Sequence, residues 1–569
     1  MTALPPDRLS AQTAPSLSEL ATRYWQRTLD RYPESATLNG FAGPRNGRLT
    51  DLRPAAYAAW NDTLRTLLRT TATLSTAGLD HRGKITLGML RESLERDLTV
   101  DVCHAELWTV DQLNGPQVAY ADLAALQPAA TVEERRLLMQ RWREIPFAIQ
   151  QQVVNLRDGA ARGYLSPRIN VERVIGQLER LVAAPAGTSP LVPPSARGPT
   201  TRWARDMRSV VANEIVPAFR AYLSFLKAEY LAQARTTPGM SANQNNAACY
   251  RAQIRAQTTL DLTADSIHSI GEHEVDSLRQ QMVVVARRRF GTGNLDSLLL
   301  TLRNDPLMAF QTRDEVFQAA KGAVERMEAH LPALFGRLPT RRVVVEPMPA
   351  YQEQDAPSAY YYPATADNGR PGRYLVNTYD PTHRPRYTVE ALAFHEAVPG
   401  HHLQISLGQE LDLPEFMRYG AGATSFVEGW ALYSEVLGEE AAVYSDDLQR
   451  LGMLFFQSWR ACRLVVDTGI HALGWSREQA IDYMLRNTGL SRSDVENEVD
   501  RYIIWPGQAL AYKVGQREIL SLRSDARAAL GPRFDLRAFH DAVLADGAVS
   551  LPILRETMAH WIAAQTTRP

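Results

Sequence analysis

The chain has 569 residues, of which 45% are apolar and 22% charged, with a net charge of −1. This is the composition of a globular protein, and the balanced charge gives no support for a nucleic-acid or other polyanion partner. No apolar run approaches the roughly 20 residues that a membrane-spanning helix requires, so no membrane role is expected.

The length corresponds to about three to four domain equivalents. Most of the chain carries apolar residues at three- and four-residue spacing, so a mainly α fold is expected. The opening "MTALPPDRLSAQTAPSLSEL" shows neither a basic start nor an apolar stretch, so no leader is read there. "SLSELATRYWQRTLDRY" and "AAYAAWNDTLRTLLRTTATL" read as helices. Thr131, with Glu134 three residues later, is a capping box; it opens one or two long helices in "TVEERRLLMQRWREIPFAIQQQVVNLRDGAARG". Cys103, Cys249 and Cys462 are far apart and fit no pairing motif. They predict no disulfide framework, and with the missing leader they point to the cytoplasm. A periplasmic location would follow if a leader had been removed.

"AAPAGTSPLVPPSARGPT" is dense in breakers and reads as a surface loop. It divides an N-terminal helical region (1–185) from a catalytic region (201–569) through a loop at 186–200. At 341–380, "RRVVVEPMP" and "GRYLVNTYD" are short β-branched or alternating runs either side of a turn-rich stretch. They predict a small β-sheet.

"FHEAVPGHHLQ" (394–404) follows. In a regular helix, two histidines four residues apart can share one zinc. Here His401 is six residues after His395 and His402 seven. Pro399 cannot donate to the helix, and its ring crowds the carbonyl of His395 four residues back. A widened turn that absorbs two residues would restore the His395–His401 relation. His402 would share a face with His395 but lie about 10.5 Å along the axis. His401 is therefore preferred as second ligand, with His402 the rival or, failing that, a support beside the site. Glu396 would stand beside the attacking water, where a general base belongs. Downstream, Glu428 in "SFVEGWALYSE" is an acid in an apolar helix, which needs a partner; it is the candidate third ligand. Glu435, seven residues on, could orient a histidine.

Arg463, Asp467 and His471 recur at four-residue intervals in "RACRLVVDTGIHALGWS" and share a helix face. An Arg463–Asp467 ion pair with His471 bonded to Asp467 is expected, as a support to the site or an anchor for a substrate carboxylate. "EVDRYIIWPGQALAYKVG" offers Arg501, Tyr502, Gln508, Tyr512 and Lys513 around a Pro506–Gly507 break, with Arg501, Gln508 and Lys513 as candidate substrate contacts.

These segments, together with "DQLNGPQ", "NLRDGAARGYLSPR" and "AYYYPATADNGRPGRYLVNT", resemble the bacterial family known as domain of unknown function 885. The resemblance spans nearly the whole chain. It implies a zincin-like helical metallopeptidase architecture, distantly similar to thimet oligopeptidase, carboxypeptidase Taq and angiotensin-converting enzyme, with a small sheet beside the active-site helix. Aligned with the "GHAL" of those peptidases, "GHHL" implies His401 as second ligand and Glu428 as the downstream glutamate. Their late tyrosine or histidine oxyanion donor implies Tyr512 or Tyr502 here. Their substrate-pairing edge strand corresponds to "GRYLVNTYD", which makes Tyr361, Tyr362 and Asn377 candidate cleft residues. The resemblance departs at the two-residue insertion between the histidines.

The sequence thus predicts a metal-dependent hydrolase, with one Zn2+ on His395, His401 and Glu428 and Glu396 as base. Its substrates would be peptides or small peptide-like amides. A specialised amide or ester hydrolase on the same scaffold, or a metal-free binding protein derived from it, are the alternatives.

Overall fold

The computed structural model describes residues 15–567 except 186, 199, 351, 352, 354 and 355. The first fourteen residues, read above for a leader, lie outside the described part. The architecture is mainly α. Ser16 caps helix Leu17–Arg31, and the Thr131–Glu134 capping box opens a single helix, Val132–Ala161, that runs through Pro146. None of the described helices is long and apolar enough to cross a membrane.

The sheet has three strands: β1 (Val344–Pro347), β2 (Ala359–Tyr362) and β3 (Arg373–Val376). Their order is β1-β3-β2, with β3 parallel to β1 and antiparallel to β2. β3 is therefore central, both its edges already paired, which corrects the expectation that "GRYLVNTYD" supplies the substrate-pairing edge. β2 was hidden because the prolines, glycines and Asp/Asn residues that flank its four residues read as turn.

Two large apolar cores hold the helices. One unites the N-terminal helices with the C-terminal half, from Leu20 to Met558. The other spans Leu49 to Ala234 and includes Leu191 and Val192. Both lie in the Pro/Gly/Ser-rich segment, both are fully buried, and the Trp142 indole donates to the Leu191 carbonyl at 2.9 Å. That stretch is thus packed into a core that continues on either side of it.

Helices Thr424–Glu440 and Ala511–Leu530 cross at bare backbone. A Cβ on Gly515 would stand 1.7 Å from the Ser425 carbonyl oxygen, and one on Gly429 would stand 2.4 Å from the Gly515 carbonyl carbon. This close approach brings the helix of Glu428 against the helix of Tyr512.

Cys103 and Cys249 form a disulfide across 146 residues, contrary to the expectation of unpaired thiols. Packing of the Asp101–Cys103 turn against helix Asn246–Thr258 joins them, and no local spacing encodes that contact. Cys462 is free and buried.

Candidate metal centre

The chain does not carry "FHEAVPGHHLQ" as one widened helix. Helix Val389–Glu396 stops, residues 397–400 form a turn with a cis Val398–Pro399 peptide, and helix His401–Glu410 begins. Proline's missing N–H and its crowding of the His395 carbonyl end the first helix here. Gly400 closes the turn, since a Cβ there would lie 1.9 Å from the His395 carbonyl oxygen. The buried Trp430 indole donates to the Pro399 carbonyl at 2.8 Å, which ties the turn to the Glu428 helix. The outcome is the one a bulge was expected to deliver: the His395 and His401 rings meet at right angles, centroids 4.9 Å apart.

Glu428 completes the group. Its Oε2 lies 3.7 Å from His395 Nε2 and 3.5 Å from His401 Nε2. These separations are long for direct hydrogen bonds. They match the roughly 3.4 Å between two ligands of a tetrahedral ion with bonds near 2.1 Å. Glu428 Oε2 and His401 Nδ1 are also buried without a hydrogen-bond partner, so the carboxylate is aimed at a space that a cation would fill. The donor set therefore fits a zinc-type ion. Donor atoms of His395, Glu396 and His401 all lie within 4.8 Å of one another, which puts the Glu396 carboxylate at the same spot. Glu428, rather than Glu396, approaches both Nε2 atoms and carries the orphaned oxygen.

The surroundings hold His395 in one orientation. Its Nδ1 bonds Glu435 Oε1 at 2.9 Å, while Gln457 donates to Glu435 Oε2 at 2.8 Å. Lys513 Nζ donates to Gln457 Oε1 at 2.9 Å and to Gln516 Oε1 at 2.7 Å. Burial would depress the His395 pKa, but Glu428 and Glu435 outweigh it and lift it to about 9. Glu428 is likewise disfavoured by burial yet held well below the carboxylate range by the two histidines. Lys513, expected to contact substrate, is instead a buried support whose pKa burial lowers to about 8.

His402 points elsewhere. Its Nε2 donates to the Arg341 carbonyl at 3.0 Å and its Nδ1 accepts from the Tyr361 hydroxyl at 3.1 Å. Burial lowers its pKa to about 4, so it is a neutral link between the second helix and the sheet. It is neither the rival ligand nor a support to His395. Tyr361 is its partner, Tyr362 packs edge-on to Tyr360, and Asn377 is fully buried, holding the carbonyls of Glu353, Ala356 and Pro357. Asn377 is thus a loop brace rather than a cleft residue.

Of the two late tyrosines, Tyr512 faces the centre, its ring stacked on His395 at 6.3 Å. Its hydroxyl accepts from Arg501 at 3.1 Å, and Arg501 also donates to Gln508 at 2.7 Å. Tyr502 is buried, accepting from Trp459 and Arg463 and donating to Glu498 Oε2, so it cannot serve as oxyanion donor. The expected Arg463–Asp467–His471 triplet does not form. Arg463 pairs with Glu498 at 2.9 Å, and Asp467 accepts from the Tyr250 hydroxyl and the Gly507 N–H. His471 Nε2 donates to the Tyr502 carbonyl, and its Nδ1 accepts from the Met240 N–H. Four-residue spacing aligned the three side chains, but closer partners on neighbouring elements took each one. Gln457 and Glu498 were missed because each alone reads as an ordinary helix residue.

Two surface clefts, of about 780 and 550 Å³, lie away from this centre and are not lined by His395, His401 or Glu428. Donor geometry, not cleft size, marks the site.

The family model for bacterial proteins of unknown function, DUF885, matches residues 33–558. The chain belongs to that family. No curated protein matches it. Among solved structures it is similar to a "putative lipoprotein" from Colwellia psychrerythraea, with 28% identity and a TM-score of 0.89 over 96% of this chain and 99% of that one. A Shewanella oneidensis protein of the same description and unknown function shares the fold, with 18% identity and a TM-score of 0.75 over 96% and 100% of the two chains.

The structure gives the other family-like motifs a physical role. In "DQLNGPQ", Asp111 accepts from the Trp505 indole at 2.8 Å and Gln112 donates to the Asp500 carbonyl at 3.3 Å. Asn170 donates to the same carbonyl at 2.9 Å. The fully buried Asp500 carboxylate also takes Arg477 at 2.6 Å and pairs with Arg173. Asp111, Gln112, Asn170 and Arg173 thus clamp the segment that leads into Tyr512.

Proposed function

We propose that the protein is a zinc-dependent hydrolase of amide bonds in peptides or small peptide-like molecules. The observation that carries the reading is the orphaned Glu428 oxygen, 3.5–3.7 Å from two imidazole nitrogens. His395, His401 and Glu428 would hold the ion, which when bound supplies Lewis acidity to the scissile carbonyl and a nucleophile ionised near neutral pH. Glu396 takes the proton of the attacking water on a carboxylate oxygen and passes it to the leaving nitrogen. Tyr512 accepts from Arg501 and so keeps its own O–H to donate to the developing oxyanion. Glu435, braced through Gln457 to Lys513, holds the His395 Nδ1–H so that Nε2 faces the centre. The chain order His-Glu, His, Glu, Tyr supports extending the reading to a zincin-like architecture.

The Cys103–Cys249 disulfide and the lipoprotein descriptions of both similar structures favour action outside the cytoplasm, where disulfides persist.

Metal analysis of the purified chain should find one zinc, lost on His401→Ala. Glu396→Gln should retain the metal and lower kcat on a peptide library by at least about 10²-fold. Full turnover in Glu396→Gln, or no bound metal in the wild type, would sink the reading.

A further inference from the structure

A second cluster adjoins the metal centre through Tyr512. Arg463 lies 4.2 Å above the Tyr512 ring, whose plane stacks on His395 at 6.3 Å. Arg460, one helical turn before Arg463, lies over the rings of Trp459 and Phe456 at 4.1 and 4.5 Å. Arg501 joins them through the Tyr512 hydroxyl. Glu498 is the carboxylate that serves Arg463, at 2.9 Å, and Arg501, at 3.5 Å. Arg460 Nε and Nη1, Arg463 Nη1 and Arg501 Nε are all buried without a hydrogen-bond partner.

Guanidinium groups only donate, and a buried charged donor without an acceptor is costly. Burial holds Arg460 below the usual guanidinium range, and Glu435 and Glu498 offset this only in part. Glu498 serves two of the three cations and Glu435 acts on the third, yet four of their N–H groups are left without an acceptor. The Arg501 and Glu498 side chains are 18 and 16% exposed, and Glu428 and His401 are 16 and 12% exposed, so solvent reaches the rims of both clusters.

We propose that Arg460, Arg463 and Arg501 bind the free carboxylate of the substrate. A planar carboxylate matches a guanidinium fork bidentately. The 4.2 Å from the Arg463 guanidinium to the Tyr512 ring and the 6.3 Å from that ring to His395, at roughly 3.3–3.6 Å per extended residue, put that carboxylate within about three residues of the scissile bond. The substrates are then short peptides or acyl amino acids cleaved near a free C-terminus. This inference deepens the hydrolase reading and rests on it for the word substrate.

The test compares N-benzoylglycyl-L-phenylalanine with its C-terminal carboxamide on the purified full chain, by calorimetric binding and by hydrolysis in parallel. The acid should bind at least tenfold more tightly than the amide. Arg460→Met should cut that advantage to under twofold, while Arg460→Lys keeps most of it. If Arg460→Met fails to fold by thermal melt, the wild-type acid/amide ratio and the Lys variant still decide. Equal binding of acid and amide, or binding of neither, overturns the anchor. Hydrolysis of both at equal KM overturns the anchor and keeps the hydrolase; acid-selective binding without hydrolysis does the reverse.

Discussion

The helix Asp447–His471 borders two polar clusters that look alike in sequence and differ in their accounting of hydrogen bonds. Towards its C-terminus, Asp467 and His471 are buried and every polar contact is met: Tyr250 and Gly507 on the acid, Met240 and Tyr502 on the imidazole. One to two turns earlier, Arg460 and Arg463 have buried N–H groups without partners, and across Tyr512 lie the orphaned Glu428 oxygen and His401 nitrogen. Burial is common to both ends of the helix. What separates them is satisfaction: one polar cluster completes its own hydrogen bonds and braces the fold, whereas the other leaves buried donors and an acceptor unmet.

Substitutions at the two ends should therefore fail differently. The largest effect belongs to Glu435→Gln, which weakens the hold on His395. Zinc affinity should fall about 10–100-fold, measured by competition with a chelator, with little change in melting temperature. Unchanged affinity would place Glu435 among the bracing residues. At the satisfied end, Asp467→Asn sets an amide N–H against the Tyr250 or Gly507 donors. It should cost about 1–3 kcal/mol of stability in denaturant unfolding while zinc content stays at wild type. Loss of zinc there would erase the distinction between the clusters.

The smallest effect is read by pH. Burial lowers the His471 pKa to about 3, against an ordinary value near 6.5. A histidine kept neutral in the fold contributes fully above its unfolded pKa. Its contribution drains as pH falls from about 6.5 towards 3, because the unfolded chain binds the proton first. The stability advantage of wild type over His471→Gln should then be constant above pH 7 and shrink below pH 6.5 in thermal melts. An advantage that grows on acidification would contradict a neutral, bracing His471.

Local patterns made much of the fold legible. Apolar periodicity marked the long helices, and the Thr131–Glu134 pair marked the start of Val132–Ala161, because both are read within a few residues. The convergence of His395, Glu396, His401 and Glu428 was legible in the same way, because they are chemically distinctive side chains, and Pro399 announced that the helix between the histidines had to deform. Long-range contacts were not legible. Nothing local selects Glu498 over Asp467 as the partner of Arg463, joins Cys103 to Cys249, or seats "GRYLVNTYD" between two strands.

By itself, then, the sequence determined a helical body, a small sheet and the residue types of a candidate metal site, since these follow from propensity and spacing. Only the tertiary structure decided that the helix breaks at residues 397–400 rather than widening, that His402 turns to Arg341 and Tyr361, and that Tyr512 rather than Tyr502 faces the centre. Those choices depend on which elements come within hydrogen-bonding reach. That is fixed by the glycine contact of Gly429 with Gly515 and by the Trp430 bond to Pro399, both made across the fold.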